Sequence, residues 1–303
     1  MRRATVAAVS LLLVASLTAC SLGTVDRGRG ADRLAVVAAE NFWGSIAAQV
    51  GGDRVQVTNI IDNPNADPHD YEPTSEDARS MASATFVIVN GIGYDPWADR
   101  LVAANPVPGR DVLDVGKLVD VPVGGNPHQW YAPQSVQRVI DAITAEYKKL
   151  DAKDASYFDR QRSSFETKGI AQYEGLISVI KRKYAGTPVG ASESIFALMA
   201  PALGLDLLTP PSFLIAISEG TEPTPGDKAT IDHQIQSHQI EVYVYNRQNA
   251  TPDIQRQIEE ARSAGIPVAT ITETLVPAGA SFQAWQVREL RGLAAALARA
   301  TGR

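Results

Sequence analysis

Residues 34–61, LAVVAAENFWGSIAAQVGGDRVQVTNII, set the architecture. Leu34 to Ala39 is a short apolar run, the signature of a strand buried on both faces. Asn41 to Val50 follows with helical spacing and stops at Gly51-Gly52. Val55 to Ile61 is a second strand. Ser75 to Ala84 reads as a short helix, Thr85 to Asn90 as a third strand, and Trp97 to Ala104 as the next helix. Strands alternating with helices predict βαβ units and a parallel sheet. In such sheets ligands bind at the loops beyond the carboxyl ends of the strands.

The second half repeats the rhythm. Strands are expected at 188–192, 241–245 and 267–271, and helices at 194–203, 227–237, from Thr251-Pro252 onward, and at 281–300. Leu207 to Pro225, rich in Pro, Ser, Glu and Gly, reads as an irregular loop. Between the halves, Pro133 to Lys149 is an amphipathic helix with Val136, Val139, Ile140, Ile143 and Tyr147 on one side. Ala155 to Tyr184 reads as one unusually long helix. About 30 residues at 1.5 Å each is roughly 45 Å, longer than one lobe is wide. Gly169 is its weak point, costing about 1 kcal/mol against alanine, and two helices broken there are the alternative. The expected fold class is therefore α/β: two βα lobes with central, mostly parallel sheets, joined by a long rigid helix.

The chain has 303 residues, a formal net charge of −6 and a single cysteine. An acidic body argues against a nucleic-acid partner. Arg2 and Arg3 followed by apolar Ala4 to Val14 read as an export signal. The run is too short to span a membrane easily. Leu17-Thr18-Ala19-Cys20 resembles the lipobox of bacterial lipoproteins, which implies cleavage before Cys20 and a lipid on its sulfur. Cys20 has no second cysteine for an intramolecular disulfide. Residues 1–19 are thus expected as signal peptide and 20–32 as a lipidated tether. Residues 33–150 follow as N-terminal lobe, 151–186 as linking helix and 187–303 as C-terminal lobe.

Two of the four histidines stand in matched frames, Asp67-Pro68-His69 and Asn126-Pro127-His128, each with an aromatic two residues on, Tyr71 and Trp130. Proline fixes its own φ and extends the residue before it, so each imidazole is presented from a stiff loop. A shared metal site is one reading, and two solvated turn residues is the other. His233 and His238 are five apart and do not share a helix face, so a surface or capping role is expected for them.

The segments DPHDYEPT (67–74), VIVNGIGYDPWADRL (87–101), NPHQWYAP (126–133), ASESIFALMAPALGL (191–205) and ITETL (271–275) resemble the zinc/manganese-type solute-binding proteins of bacterial ABC transporters. The resemblance covers nearly all of the expected mature chain. It implies one divalent ion, Mn²⁺ or Zn²⁺, held between two lobes and passed to an ABC permease by a lipid-anchored monomer that is not an enzyme. Carried over by position, the ligands would be His69, His128, Glu193 and Glu273. Glu193 and Glu273 both stand just past expected strands, where α/β folds place ligand groups, and a buried carboxylate there needs a cation or hydrogen bonds. Asn126 and Glu273 stand where many relatives carry Asp, and the histidine-rich loop of some zinc-binding relatives is missing. Other functions stay open from residues alone. A metallohydrolase could use such a ligand set, but HExxH and GxSxG patterns are absent, and the absence of a Walker A motif argues against the ATPase of a transporter. A chelate or vitamin receptor of similar build would leave the matched histidines idle, and no residue argues for an adhesin.

Overall fold

The structure is a computed structural model and describes residues 33–64, 66 and 71–303. The export segment, Cys20 and His69 lie outside the described residues. The first half contains β1 (Leu34–Glu40), α1 (Asn41–Gly51), β2 (Val55–Ile61), α2 (Ser75–Ser83), β3 (Phe86–Val89), α3 (Pro96–Ala104), β4 (Asp111–Asp114), α4 (Val115–Val119) and α5 (Pro133–Leu150). The helical stretch between the halves contains α6 (Ala155–Ser164) and α7 (Ala171–Tyr184). The second half contains β5 (Pro188–Ala191), α8 (Met199–Ala202), β6 (Asp206–Leu207), α9 (Pro211–Ser218), α10 (Pro225–Gln236), β7 (Val242–Asn246), α11 (Pro252–Ser263), β8 (Val268–Ile271) and α12 (Phe282–Thr301).

Each half carries a four-stranded sheet, in the orders β2-β1-β3-β4 and β6-β5-β7-β8, and every strand pair is parallel. The shared order has a functional consequence. The chain leaves β1 for one neighbour and returns on the other side, and it does the same around β5. Both sheets therefore have a topological switch point, the usual place for a ligand crevice. The strands read as continuous apolar runs because both faces are covered. Val36, Ala38, Phe86 and Ile88 face one core, while Val37, Ala39, Val87 and Val89 face a second core with Met81 of α2 and Trp97 of α3. In the other sheet Val242 and Val244 join the first core, and Tyr243 faces a third with Ile231 of α10 and Ile254 of α11.

The first core is continuous through both halves. It runs from Phe42 and Trp43 through Trp130 and Tyr131 to Phe282, Trp285 and Leu290. Helix α1 packs on α5, α6 and α12, and α7 packs on α12. The linking stretch is helical over 155–164, forms a wider π turn at Phe165–Gly169, leaves the helix at Ile170 and resumes at Ala171. The expected single long helix is thus interrupted at the glycine that the sequence marks as weak. A Cβ on Gly169 would stand 2.6 Å from the Phe165 ring, so the turn that buries Phe165 requires glycine.

Two further expectations are corrected. The segment 207–225 is not all loop: Pro211–Ser218 is helical, with Phe213, Leu214 and Ile217 buried. Pro211 occupies the first turn, where its missing N–H costs nothing. The segment 194–203 begins as a tight 3₁₀ turn, Ser194–Leu198, before the single turn of α8. The edge strand β4 and the short α4 behind it have no period long enough to read.

Phe42 is fully buried, and its ring lies 3.9 Å from that of Trp130, nearly parallel at 21°. Phe42→Ala is expected to cost about 3–5 kcal/mol, read as a lower urea midpoint at unchanged slope.

Candidate metal centre

His128 opens the 3₁₀ turn Gln129–Tyr131 and is buried, with 1% exposure. This turn packs on the 3₁₀ turn that follows Glu193. The Asn126 side chain sets the histidine. Its Nδ2 donates to the Ser194 carbonyl at 2.8 Å, which fixes the amide orientation. Its Oδ1 then accepts from the His128 backbone N–H at 3.1 Å and faces His128 Nδ1 at 2.9 Å. An amide oxygen can only accept, so Nδ1 carries a proton, and in the neutral ring Nε2 then keeps its lone pair. That lone pair looks toward Glu273 Oε1 at 3.7 Å. The gap is too long for a hydrogen bond. Two ligands about 2.1 Å from one ion at a tetrahedral angle stand roughly 3.4 Å apart, so the gap suits a shared cation.

Glu193 extends from the end of β5 and is buried. Its Oε1 accepts from Asn246 Nδ2 at 2.6 Å and its Oε2 from Asn249 Nδ2 at 2.7 Å. The same Asn246 amide lies 3.5 Å from Glu273 Oε2. Asn246 closes β7, the strand beside β5, so one residue at the switch point spans both carboxylates. Glu273 is held from three sides. Gln248 Oε1 accepts from the backbone N–H groups of Glu273 at 2.6 Å and Thr274 at 3.0 Å. From the other half, Tyr94 O–H donates to Glu273 Oε1 at 3.0 Å.

Tyr94 is aimed by a strained loop. Gly91, Ile92 and Gly93 all have positive φ, at 71°, 62° and 90°, and a β-branched residue there is a true outlier. The Asp95 carboxylate steadies the bend by accepting from the N–H groups of Asn90 at 2.7 Å and Gly91 at 2.8 Å. Burial raises Asp95 to about 6 even so. Glu40, at the end of β1, is fully buried beside Asp95. Burial, then the neighbouring Asp95 carboxylate, pushes it well above the usual carboxylate range.

The structure thus brings His128, Glu193 and Glu273 to one cleft between the sheet ends. Among the described residues no three His, Cys, Asp or Glu side chains alone converge closely enough to hold a metal. His233 and His238 are exposed and far from this network in the fold: His233 Nδ1 lies 3.1 Å from Ser237 Oγ at the end of α10, and His238 takes a left-handed turn. Tyr94, Asn246, Asn249, Gln248 and Glu40 are absent from the sequence reading. Tyr94 lies inside a matched segment, and its place after a buried strand was the available signal. The asparagines carry no sequence mark of their role.

Two α/β halves with buried polar side chains meeting at their strand ends define a two-lobed binding protein. The family model described as zinc-uptake complex component A, periplasmic, matches residues 36–296, and the chain belongs to that family. Among curated relatives, FimA of Streptococcus parasanguinis, a metal ABC transporter substrate-binding lipoprotein, is 27% identical over 253 residues, 78% of this chain and 79% of its own. PsaA of Streptococcus pneumoniae, a manganese ABC transporter substrate-binding lipoprotein, is 26% identical over 253 residues, with the same shares. A Mn-bound mutant of a periplasmic metal-binding protein from Candidatus Liberibacter asiaticus superposes with a TM-score of 0.74 at 18% identity, covering 88% of this chain and all of that one; this likeness concerns the fold.

Asn246→Leu removes the donor that Glu193 and Glu273 share. It is expected to destabilise the metal-free protein by about 1.5–3 kcal/mol, read by denaturant titration at pH 7.

Proposed function

We propose that this chain captures one divalent transition metal ion outside the cytoplasm and delivers it to an ABC permease. His128 from one half, Glu193 and Glu273 from the other, and His69 from the loop after β2 are the proposed ligands. The observation that carries the reading is the 3.7 Å approach of His128 Nε2 to Glu273 Oε1. In the neutral tautomer this nitrogen offers a lone pair toward a carboxylate oxygen, and a cation between the two satisfies both. Family membership and the relatives named above support the same function. The ion is cargo, and the protein binds it rather than using it in a reaction. In this reading 33–150 and 187–303 are the two metal-binding lobes and 151–186 links them. The protein acts as a monomer tethered through lipid on Cys20, with no nucleic-acid partner. Among the described residues no helix is long and apolar enough to cross a membrane.

We propose Mn²⁺ as the cargo, with Zn²⁺ as the competitor. Two imidazoles and two carboxylates form a harder set than three imidazoles and one. A carboxylate binding through both oxygens raises coordination above four, which suits Mn²⁺ better than tetrahedral Zn²⁺. Zn²⁺ binds most such sites more tightly in vitro, so cargo is decided in cells. A deletion strain should lose manganese and recover growth on added manganese. Recovery on zinc alone, with normal cellular manganese, would reverse the choice of ion.

His128→Ala and Glu193→Ala are each expected to lower metal affinity by orders of magnitude in competition titrations, with circular dichroism unchanged, while His233→Ala leaves it alone. Equal losses at His233 and His128 would overturn the ligand set. Saturating metal should raise the melting temperature, because only the native state binds. Affinity should fall below about pH 6, because a ligating imidazole has to be neutral. The tether is tested by Cys20→Ala, which should release the protein from the membrane fraction or leave it as a precursor.

A further inference from the structure

Behind the cleft, a second polar cluster joins the halves. Tyr131, three residues after His128, sends its hydroxyl across to the C-terminal half. It lies 2.7 Å from the Thr272 carbonyl and 2.5 Å from Glu289 Oε2 on α12. Thr272 immediately precedes Glu273. Its backbone N–H and its Oγ1 each lie 2.8 Å from Glu289 Oε1, and its Oγ1 accepts from Trp285 Nε1 at 2.7 Å. Glu289 therefore grips the residue that carries the Glu273 arm, and Tyr131 ties that residue to the His128 turn.

The protons decide the state of this cluster. Tyr131 has one hydroxyl proton and two oxygens within hydrogen-bond distance. A carbonyl cannot donate. Both contacts are hydrogen bonds only if Glu289 is a carboxylic acid that donates to Tyr131, which in turn donates to Thr272. With Glu289 ionised, Tyr131 can satisfy one acceptor and the other contact becomes lone pair against lone pair. Arg247 and Arg288 line the recess of about 250 Å³ that Glu289 faces. Neither makes an ion pair with it, and Arg288 donates to the Val276 carbonyl instead. Tyr131 is the titratable group on the opposite side, itself held neutral by burial and then by Glu289. Burial raises Glu289 to about 7, against hydrogen bonds that lower it.

We infer that Glu289, in its neutral form, and Tyr131 are positioning residues that clamp the Glu273 arm to the His128 turn, and that loss of the Glu289 proton loosens the clamp. Loosening the arm speeds metal release. The sign follows from the raised value: the clamp is complete below the ordinary Glu value of 4.5 and is lost as pH rises through about 7.

The test uses Glu289→Gln, whose amide accepts from Thr272 and donates to Tyr131 at every pH. In metal-free protein, the melting temperature of E289Q relative to wild type should rise by about 3 °C between pH 5.5 and 8.5. In the Tyr131→Phe background the same substitution should produce no such pH-dependent difference. Parallel melting curves for wild type and E289Q across this range would overturn the inference. The second arm rests on the metal-binding function proposed above: release of Mn²⁺ into a chelator at pH 8.5 should be about 10-fold faster in wild type than in E289Q and equal in the two at pH 5.5. Equal rates at pH 8.5 would overturn the positioning role. A protein that binds neither Mn²⁺ nor Zn²⁺ would refute the proposed function, while the melting arm would still decide the proton.

Discussion

Two carboxylates, buried Glu193 and partly buried Glu273, share one amide, and the arrangement of the second half depends on that constraint. Glu193 and Glu273 leave the ends of β5 and β8, and Asn246 leaves the end of β7 between them. Like charges brought together out of water need donors or a cation. Asn246 supplies donors to both, Asn249 completes Glu193, and Gln248 holds the backbone beneath Glu273. All three come from the segment that closes β7. The sheet order that makes β5 and β7 neighbours is what lets one short segment serve both carboxylates.

The first half answers with groups that complement this negative cleft. Asn126 fixes His128 in the tautomer that leaves Nε2 unprotonated. Tyr94 brings a hydroxyl donor to Glu273. The half's own buried acid, Glu40, has its carboxyl pushed up by burial, which works against its charged form.

Much of the fold was legible because buried parallel strands write themselves as apolar runs. β1, β2, β3, β7 and β8 follow from such runs to within a residue or two. What failed to read was short or context-dependent. β4 is four residues at an edge, α9 hides behind a Pro-Pro that marks a start rather than a stop, and the π turn at Phe165–Gly169 answers to a ring packing against a glycine. At the candidate site, His128 was legible through its Pro-stiffened frame, and Glu193 and Glu273 through their resemblance to family positions after strands. The supporting asparagines, Tyr94 and the Tyr131–Glu289 pair were not. Their roles arise from distant pairing, 158 residues apart for Tyr131 and Glu289, and no local pattern encodes a partner so remote.

The continuous aromatic core has a mechanical consequence. Trp43, Trp130, Tyr131 and Trp285 are all fully buried in a cluster that passes from one sheet to the other. Large aromatic side chains bury about 150–250 Å² each, so swinging the sheets apart as rigid shells would wet several hundred square ångströms of ring surface. Gross opening of the kind seen in receptors with a thin hinge is therefore costly here. Exchange with solvent falls to the parts that are not welded into the core, namely the loops at the strand ends. The molecule works less as a jaw than as a block with a few movable pins.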